Sequence, residues 1–229
     1  VASGATLDTN GQNFVDASRP NITIAGTGTT GQGALICNTG YSDIGALTLT
    51  ADAKINVGGR LDTFGAISGA GFTLTKTGTG ECMAIRGGVT DLAGLVVEQG
   101  RVRFEDTAFG SWTGPVTVKT GGTLSRWATG STNVNVILDG GTMEDEFNGT
   151  ATWNGTVTVN SDSFIAKNSG SMVLNGAISG AGKITSAGGN TATVNADNAG
   201  FTGAWNLTGG ILRLGNANAM GNTSGVTVA

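Results

Sequence analysis

The sequence contains no histidine. That absence removes the general base of Ser-His-Asp and Cys-His catalysis and the commonest transition-metal ligand. Cysteine is nearly absent as well: Cys37 and Cys82 are the only two, in no metal-binding spacing and too few to staple a scaffold. Proline occurs only at Pro20 and Pro115, and only 12% of residues are charged. The 12 basic residues are scattered singly and the net charge is −4, so no surface is built to neutralise a run of phosphates, and nucleic acid is excluded as an expected partner. No apolar stretch reaches eighteen residues, and no basic start leads into an apolar core. The segment therefore carries neither a membrane-spanning helix nor a signal peptide, and any export signal is expected to have been removed. No window of a dozen residues spaces its apolar positions by three and four, which leaves almost no helix.

What the chain has in abundance is glycine, 41 residues of 229, set between short alternating runs of Val, Ile, Leu and Thr. It also repeats itself. Gly65-Ala66-Ile67-Ser68-Gly69-Ala70-Gly71 returns letter for letter as Gly176-Ala177-Ile178-Ser179-Gly180-Ala181-Gly182. Leu47 to Ile55 is matched position by position by Val157 to Ile165, and Gly100-Arg101-Val102-Arg103-Phe104 by Gly210-Ile211-Leu212-Arg213-Leu214, both at a shift of 110 (47 to 157, 100 to 210). Strict alternation puts Leu47 and Leu49 on a buried face with Thr48 and Thr50 outside, ahead of a polar turn at Ala51-Asp52. It likewise puts Val102 and Phe104 inside, with Arg101 and Arg103 outside. Asn-Gly and Asp-Gly pairs, the signature of two-residue hairpins, are few beside the many other glycines. A parallel coil of short strands fits better than a set of antiparallel hairpins.

The expected architecture is all-β: a right-handed parallel β-helix of about ten turns at roughly 22 residues each, a rod about 50 Å long. Two units, 1–117 and 118–229, would stack as one continuous solenoid without a linker. Cys37 and Cys82, 45 residues apart (82 − 37), would then lie about two turns or about 10 Å apart. They read as two small buried side chains rather than as a bridge.

The residues also match a known pattern. Gly71-Phe72-Thr73-Leu74-Thr75-Lys76-Thr77-Gly78-Thr79-Gly80 leads to Leu92-Ala93-Gly94 and Gly100 to Phe104. In the second unit Gly182 to Val194 leads to Asn198-Ala199-Gly200-Phe201-Thr202-Gly203 and Gly209 to Gly215. Over about 35 residues in each unit the chain resembles the autotransporter-associated β-strand repeat of bacterial surface proteins. That resemblance implies a right-handed parallel β-helix displayed on, or released from, a bacterial cell. The sequence has no C-terminal membrane barrel, so the expectation is a processed passenger, a fragment, or a relative exported by another route.

Few residues offer chemistry. Glu144-Asp145-Glu146 is the densest acidic group, and strand alternation lets Glu144 and Glu146 share a side while Asp145 faces the other way. Those two form the loose calcium candidate, and a solvated acidic loop is the alternative. No basic residue lies within the same turn to complete a catalytic carboxylate pair, so no catalytic residue and no cofactor site is assigned. Trp112, Trp127, Trp153 and Trp205 are read as packing residues stacked along the axis rather than as a sugar platform. Thr-x-Thr at 48/50, 73/75 and 191/193 recurs only at long distance, broken by Asn160 and Lys183, and so makes no ice-binding rank.

The expected function is a non-enzymatic extracellular structural or adhesive segment. Its expected partners are further copies or repeats stacked end to end, and glycans or surfaces of host or neighbouring cells. The alternative is a carbohydrate-binding or polysaccharide-degrading β-helix with a groove lined by Glu144, Glu146 and a tryptophan. Val1 and Val228 stand at the same phase of the repeat, and neither end carries an atypical capping turn.

Overall fold

A computed structural model describes residues 1–105, 112 and 114–229. The chain is all-β, with parallel strands wound as a β-solenoid of about ten turns. Among the described residues helix is confined to two single 3₁₀ turns at Asp16–Ser18 and Thr29–Gly31. Two compact units, Val1–Pro115 and Val116–Ala229, each have their own interior.

In the first unit every complete turn contributes a strand to each of three columns. The first column stacks Ile22–Gly26, the start of Leu47–Val57, Ile67–Ser68 and Val89–Thr90. The second stacks Leu7–Asp8, Leu35–Cys37, the end of Leu47–Val57, Thr73–Thr77 and Gly94–Val97. The third stacks Tyr41–Ile44, Arg60–Thr63, Cys82–Ile85 and Gly100–Phe104. The turn expected at Ala51-Asp52 is instead a corner inside one continuous strand, where the pairing register shifts between Ile24 and Gly26 of the preceding turn. Asp52 helps to hold that corner by accepting a hydrogen bond from the backbone N–H of Thr73, 2.8 Å.

The second unit repeats the plan. Its first column stacks Val116–Lys119, Val136–Asp139, Val157–Ser161 and Ile178–Gly180. Its second runs from Gly122–Arg126 through Thr142–Asp145, Ser163–Lys167, Ile184–Ala187 and Ala204–Leu207 to Gly225–Val228. Its third runs from Gly130–Thr132 through Thr150–Trp153, Ser171–Leu174 and Thr191–Val194 to Ile211–Leu214. Asp162 accepts from the N–H of Lys183 at 2.9 Å, the same bond at the same repeat position as Asp52 with Thr73.

Alternation explains the interior. Val116, Val136, Val157 and Ile178 lie in register and are buried, each contributing roughly 1.5–3 kcal/mol of burial free energy. Val102 and Phe104 are fully buried, whereas Leu214, on the last strand of its column, is half exposed. Cys37 and Cys82 are both buried and free, Cys37 inside the coil and Cys82 on the outer side of the third column. Three tryptophans are packing residues, but they do not stack on one another. Trp153 and Trp205 fill the interior, Trp205 edge-on to Phe201 at 5.5 Å, and Trp112 meets Phe104 edge-on at 6.0 Å. Leu174 and Val194 occupy the positions stacked over Trp153, so no second indole lies above it.

The corners between the second and third columns share one device. A buried polar side chain at the end of the strand bonds the backbone two residues on, where the chain leaves the sheet. Cys37 donates to the carbonyl of Thr39, Lys76 to that of Gly78 and Arg126 to that of Ala128, while Asp145 accepts from the N–H of Phe147. Lys76 also reaches the carbonyl of Gln99 at 2.8 Å, and Lys167, from the neighbouring turn of the repeat, reaches that of Gly209 at 3.2 Å. Gln99 and Gly209 are repeat equivalents (99 + 110 = 209), so each unit fixes the same corner with a buried ammonium supplied from a different rung. The residues that follow, Gly100 and Gly210, both have φ +64°. A Cβ at Gly100 would collide with the carbonyl of Gly78 and with Lys76 Nζ.

Gly100→Ala combines positive φ with that collision and is expected to lower unfolding stability by about 1–3 kcal/mol. Gly189→Ala, where a Cβ meets nothing within 4 Å, is expected to be neutral, and chemical denaturation of the two variants checks the contrast.

Candidate functional site

The acidic triplet divides as alternation requires. Met143 and Asp145 face the interior, and Glu144 and Glu146 share the outer face. Glu146 accepts from Ser125 Oγ at 2.6 Å and Glu144 from Asn168 Nδ2 at 3.0 Å, so both carboxylates are tied to the adjoining turns. Among the described residues no three carboxylates or thiols converge as a metal cluster would require. Trp127, the tryptophan left exposed at 44%, stands beside this pair: Glu146 N–H donates to the carbonyl of its neighbour Arg126, and the Trp127 ring meets Phe147 edge-on at 6.1 Å.

The larger polar constellation lies on the outer side of the third column of the first unit, and the sequence gives little warning of it. Arg19, Arg60, Arg86 and Arg103, far apart in the chain, converge there on Asp43, Asp62 and Glu105. Asp62, wholly buried, takes both ends of the Arg60 fork at 2.8 and 3.0 Å, Arg86 Nε at 2.7 Å and the Tyr41 hydroxyl at 3.1 Å. Glu105 takes Arg86 at 2.6 Å and pairs with Arg103. Arg19 bonds Asp43 at 3.3 Å, and its guanidinium lies 3.5 Å above the Phe64 ring, with Arg86 4.9 Å from the same ring. Burial alone would raise the Asp62 carboxyl, but Arg60 and Arg86 outweigh it and hold it below the usual carboxylate range. Burial, with help from Asp43 and Asp62, raises the Tyr41 hydroxyl, and burial pushes the Cys82 thiol up to about 11. Each carboxylate is paired with at least one arginine, although Asp43 Oδ1 is buried without a hydrogen-bond partner, and the phenol and thiol are held protonated, so the cluster works as a fastening across four turns.

A third arrangement covers the outer side of the third column in the second unit. Thr150, Ser171 and Thr191 form one row, Ser131, Thr152, Val173 and Thr193 a second, and Asn133, Asn154, Asn175 and Asn195 a third. The asparagines are joined amide to amide: Asn154 donates to Asn133 at 3.2 Å, Asn175 to Asn154 at 3.0 Å and Asn195 to Asn175 at 2.9 Å. Thr150-Ala151-Thr152 and Thr191-Ala192-Thr193 are separated by a turn carrying Ser171-Met172-Val173, so, as expected, Thr-x-Thr does not recur on consecutive turns here and the rows mix hydroxyl and methyl groups. The outward positions of these rows from Ser131 to Thr193 carry no charge, and Arg213 on the last strand of the column continues the second row in register with Thr193.

The first unit also has an open depression of about 210 Å³, lined by Thr27, Asp52, Lys54, Thr75 and Glu98, with Lys54 Nζ 3.8 Å from Glu98. The sequence does not bring these residues together because they come from successive turns, with only Asp52 and Lys54 sharing a strand.

No known protein family, characterised protein or solved structure matches the chain. The account of function rests on the geometry above.

Asp62→Ala leaves Arg60 and Arg86 without their shared partner and is expected to destabilise the first unit by about 3–5 kcal/mol, read by denaturant unfolding. Because the folded Asp62 pKa is depressed, its contribution is present above pH ~4 and is lost as pH falls below that value through the folded pKa. Cys37 and Cys82 are expected to resist a thiol reagent until the chain unfolds. Rapid labelling of the native protein would contradict their burial.

Proposed function

We propose that the chain is a non-enzymatic structural and adhesive segment of an exported bacterial surface or fibre protein, working outside the cell. The observation that carries the reading is the array of Thr, Ser, Val and Asn on successive turns of the second unit, uncharged until Arg213 on the last rung. Rows of hydroxyl, methyl and amide groups without an ionisable side chain suit a neutral, hydroxylated polymer surface such as a cell-surface glycan. Backbone register and the asparagine ladder hold the array rigid, so little ordering entropy is lost on contact. The resemblance to the autotransporter-associated repeat supports export and display.

A second reading, polysaccharide cleavage, is favoured by one observation, the depression lined by Asp52, Lys54 and Glu98, in which Lys54 pairs with Glu98. A panel of immobilised neutral glycans and a reducing-sugar assay separate the two. The adhesive reading predicts retention that survives high salt, since the contacting rows from Ser131 to Thr193 are uncharged, and that is lost in folded Thr152→Glu or Thr193→Glu variants. Sugar release that disappears in Glu98→Gln would replace it with the enzymatic reading.

A further inference from the structure

We infer that Asp145 is an acid-closed latch: protonated, it lets the corner carrying Phe147 seal against Trp127, and ionised, it drives that corner open to water. Asp145 points into the second unit between two buried cations in direct register, Arg126 on the turn before and Lys167 on the turn after. Each of those cations bonds elsewhere. Arg126 donates to the carbonyls of Ala128 and Thr129, and Lys167 to Ser186 Oγ and the carbonyl of Gly209. One oxygen of Asp145 accepts from Phe147 N–H at 3.0 Å, and the other is buried with no hydrogen-bond partner. The remaining charged groups nearby are Glu144 and Glu146 on the same strand end, both facing outward, and the packed strand Thr150–Trp153 contributes none.

Half of an anion therefore lies unsolvated in the interior, an arrangement that favours either protonation or the entry of water. Burial lifts the Asp145 carboxyl to about 6, opposed by the backbone N–H groups of Phe147 and Ala151 and by Arg126, and assisted by Glu146. Asp145 leads into the corner of residues 146–149, whose Phe147 lies edge-on to Trp127, and its unpartnered oxygen lies beside Gly170 of the next turn, which packs against the same corner. The native state binds more protons than the unfolded chain between pH ~4 and ~6, so the stability of this unit falls as pH rises through that window.

The test is acrylamide quenching of the intact chain as a function of pH, with Trp127→Phe identifying the Trp127 contribution. Trp127 is the exposed indole of the four, the others being at least nine-tenths buried. The latch predicts that Trp127 becomes less quenchable on acidification with a midpoint of about 6. It further predicts that Asp145→Asn removes the titration and raises the thermal midpoint of the protein at neutral pH, but not in mild acid. A midpoint in the ordinary carboxylate range, a titration that survives Asp145→Asn, or an Asp145→Asn protein less stable than the parent at neutral pH would overturn it. If Asp145→Asn does not fold, the carboxyl carbon resonance of Asp145 in the unaltered chain decides. Titration at about 6 supports the latch, and titration at the usual aspartate value refutes it.

Discussion

The constraint on which this molecule depends is that each turn must pass its backbone hydrogen bonds to the next. Parallel register does this along the strands, but at every corner the chain leaves the sheet and its peptide groups turn toward a narrow interior. The protein meets that requirement by placing polar side chains inside the coil. Lys76, Arg126 and Lys167 supply donors where carbonyls point inward, and Asp145 supplies an acceptor where an N–H does. The glycines at these corners follow from the same crowding, since the ammonium and the adjacent rung occupy the space a Cβ would need. The interior is therefore not purely apolar, and its charged residues are local responses to backbone geometry.

The outside of the two units is used in different ways. The third column of the first unit concentrates arginines, carboxylates, Tyr41 and Phe64 into a web that spans four turns. Ion pairs with such low exposure and shared partners tie adjacent rungs together more firmly than isolated surface pairs do. The corresponding column of the second unit is neutral from Ser131 to Thr193, reaches a charge at Arg213 on its last strand, and is ordered by amide-to-amide bonds. One face suits permanence and the other suits contact, and this division underlies the structural and adhesive reading.

The parallel coil was legible in the sequence because alternation and the glycine spacing both encode it. Leu47 and Leu49, or Val102 and Phe104, can be assigned to the inside from their neighbours alone. The common outer face of Glu144 and Glu146 was legible by the same rule. The arginine web was not, because Arg60 and Arg86 meet at Asp62 only after the chain has wound a full turn, and turn lengths vary in this unit. The interior lysines were hidden for a different reason. Lys76 sits at an inward position of an alternating strand, where charge argues for the opposite face, and only the carbonyls around it explain its burial. Burial lowers its pKa to about 8, the expected signature of an ammonium kept for its hydrogen bonds. The rows at Thr152, Val173 and Thr193 carry no sequence signature because residue type changes from turn to turn, and only the register aligns them.

Everything proposed rests on the register between successive turns, and paired cysteines report it most directly. Thr152 and Val173 are register partners on adjacent turns, whereas Thr152 and Thr193 are separated by two turns, about 10 Å at the usual strand spacing. The account predicts that a Thr152→Cys, Val173→Cys protein forms an intramolecular disulfide under mild oxidation while Thr152→Cys, Thr193→Cys does not, since a bridge requires Cα atoms within about 7 Å. Equal bridging of both pairs, or bridging of the second pair alone, would contradict the turn-on-turn register.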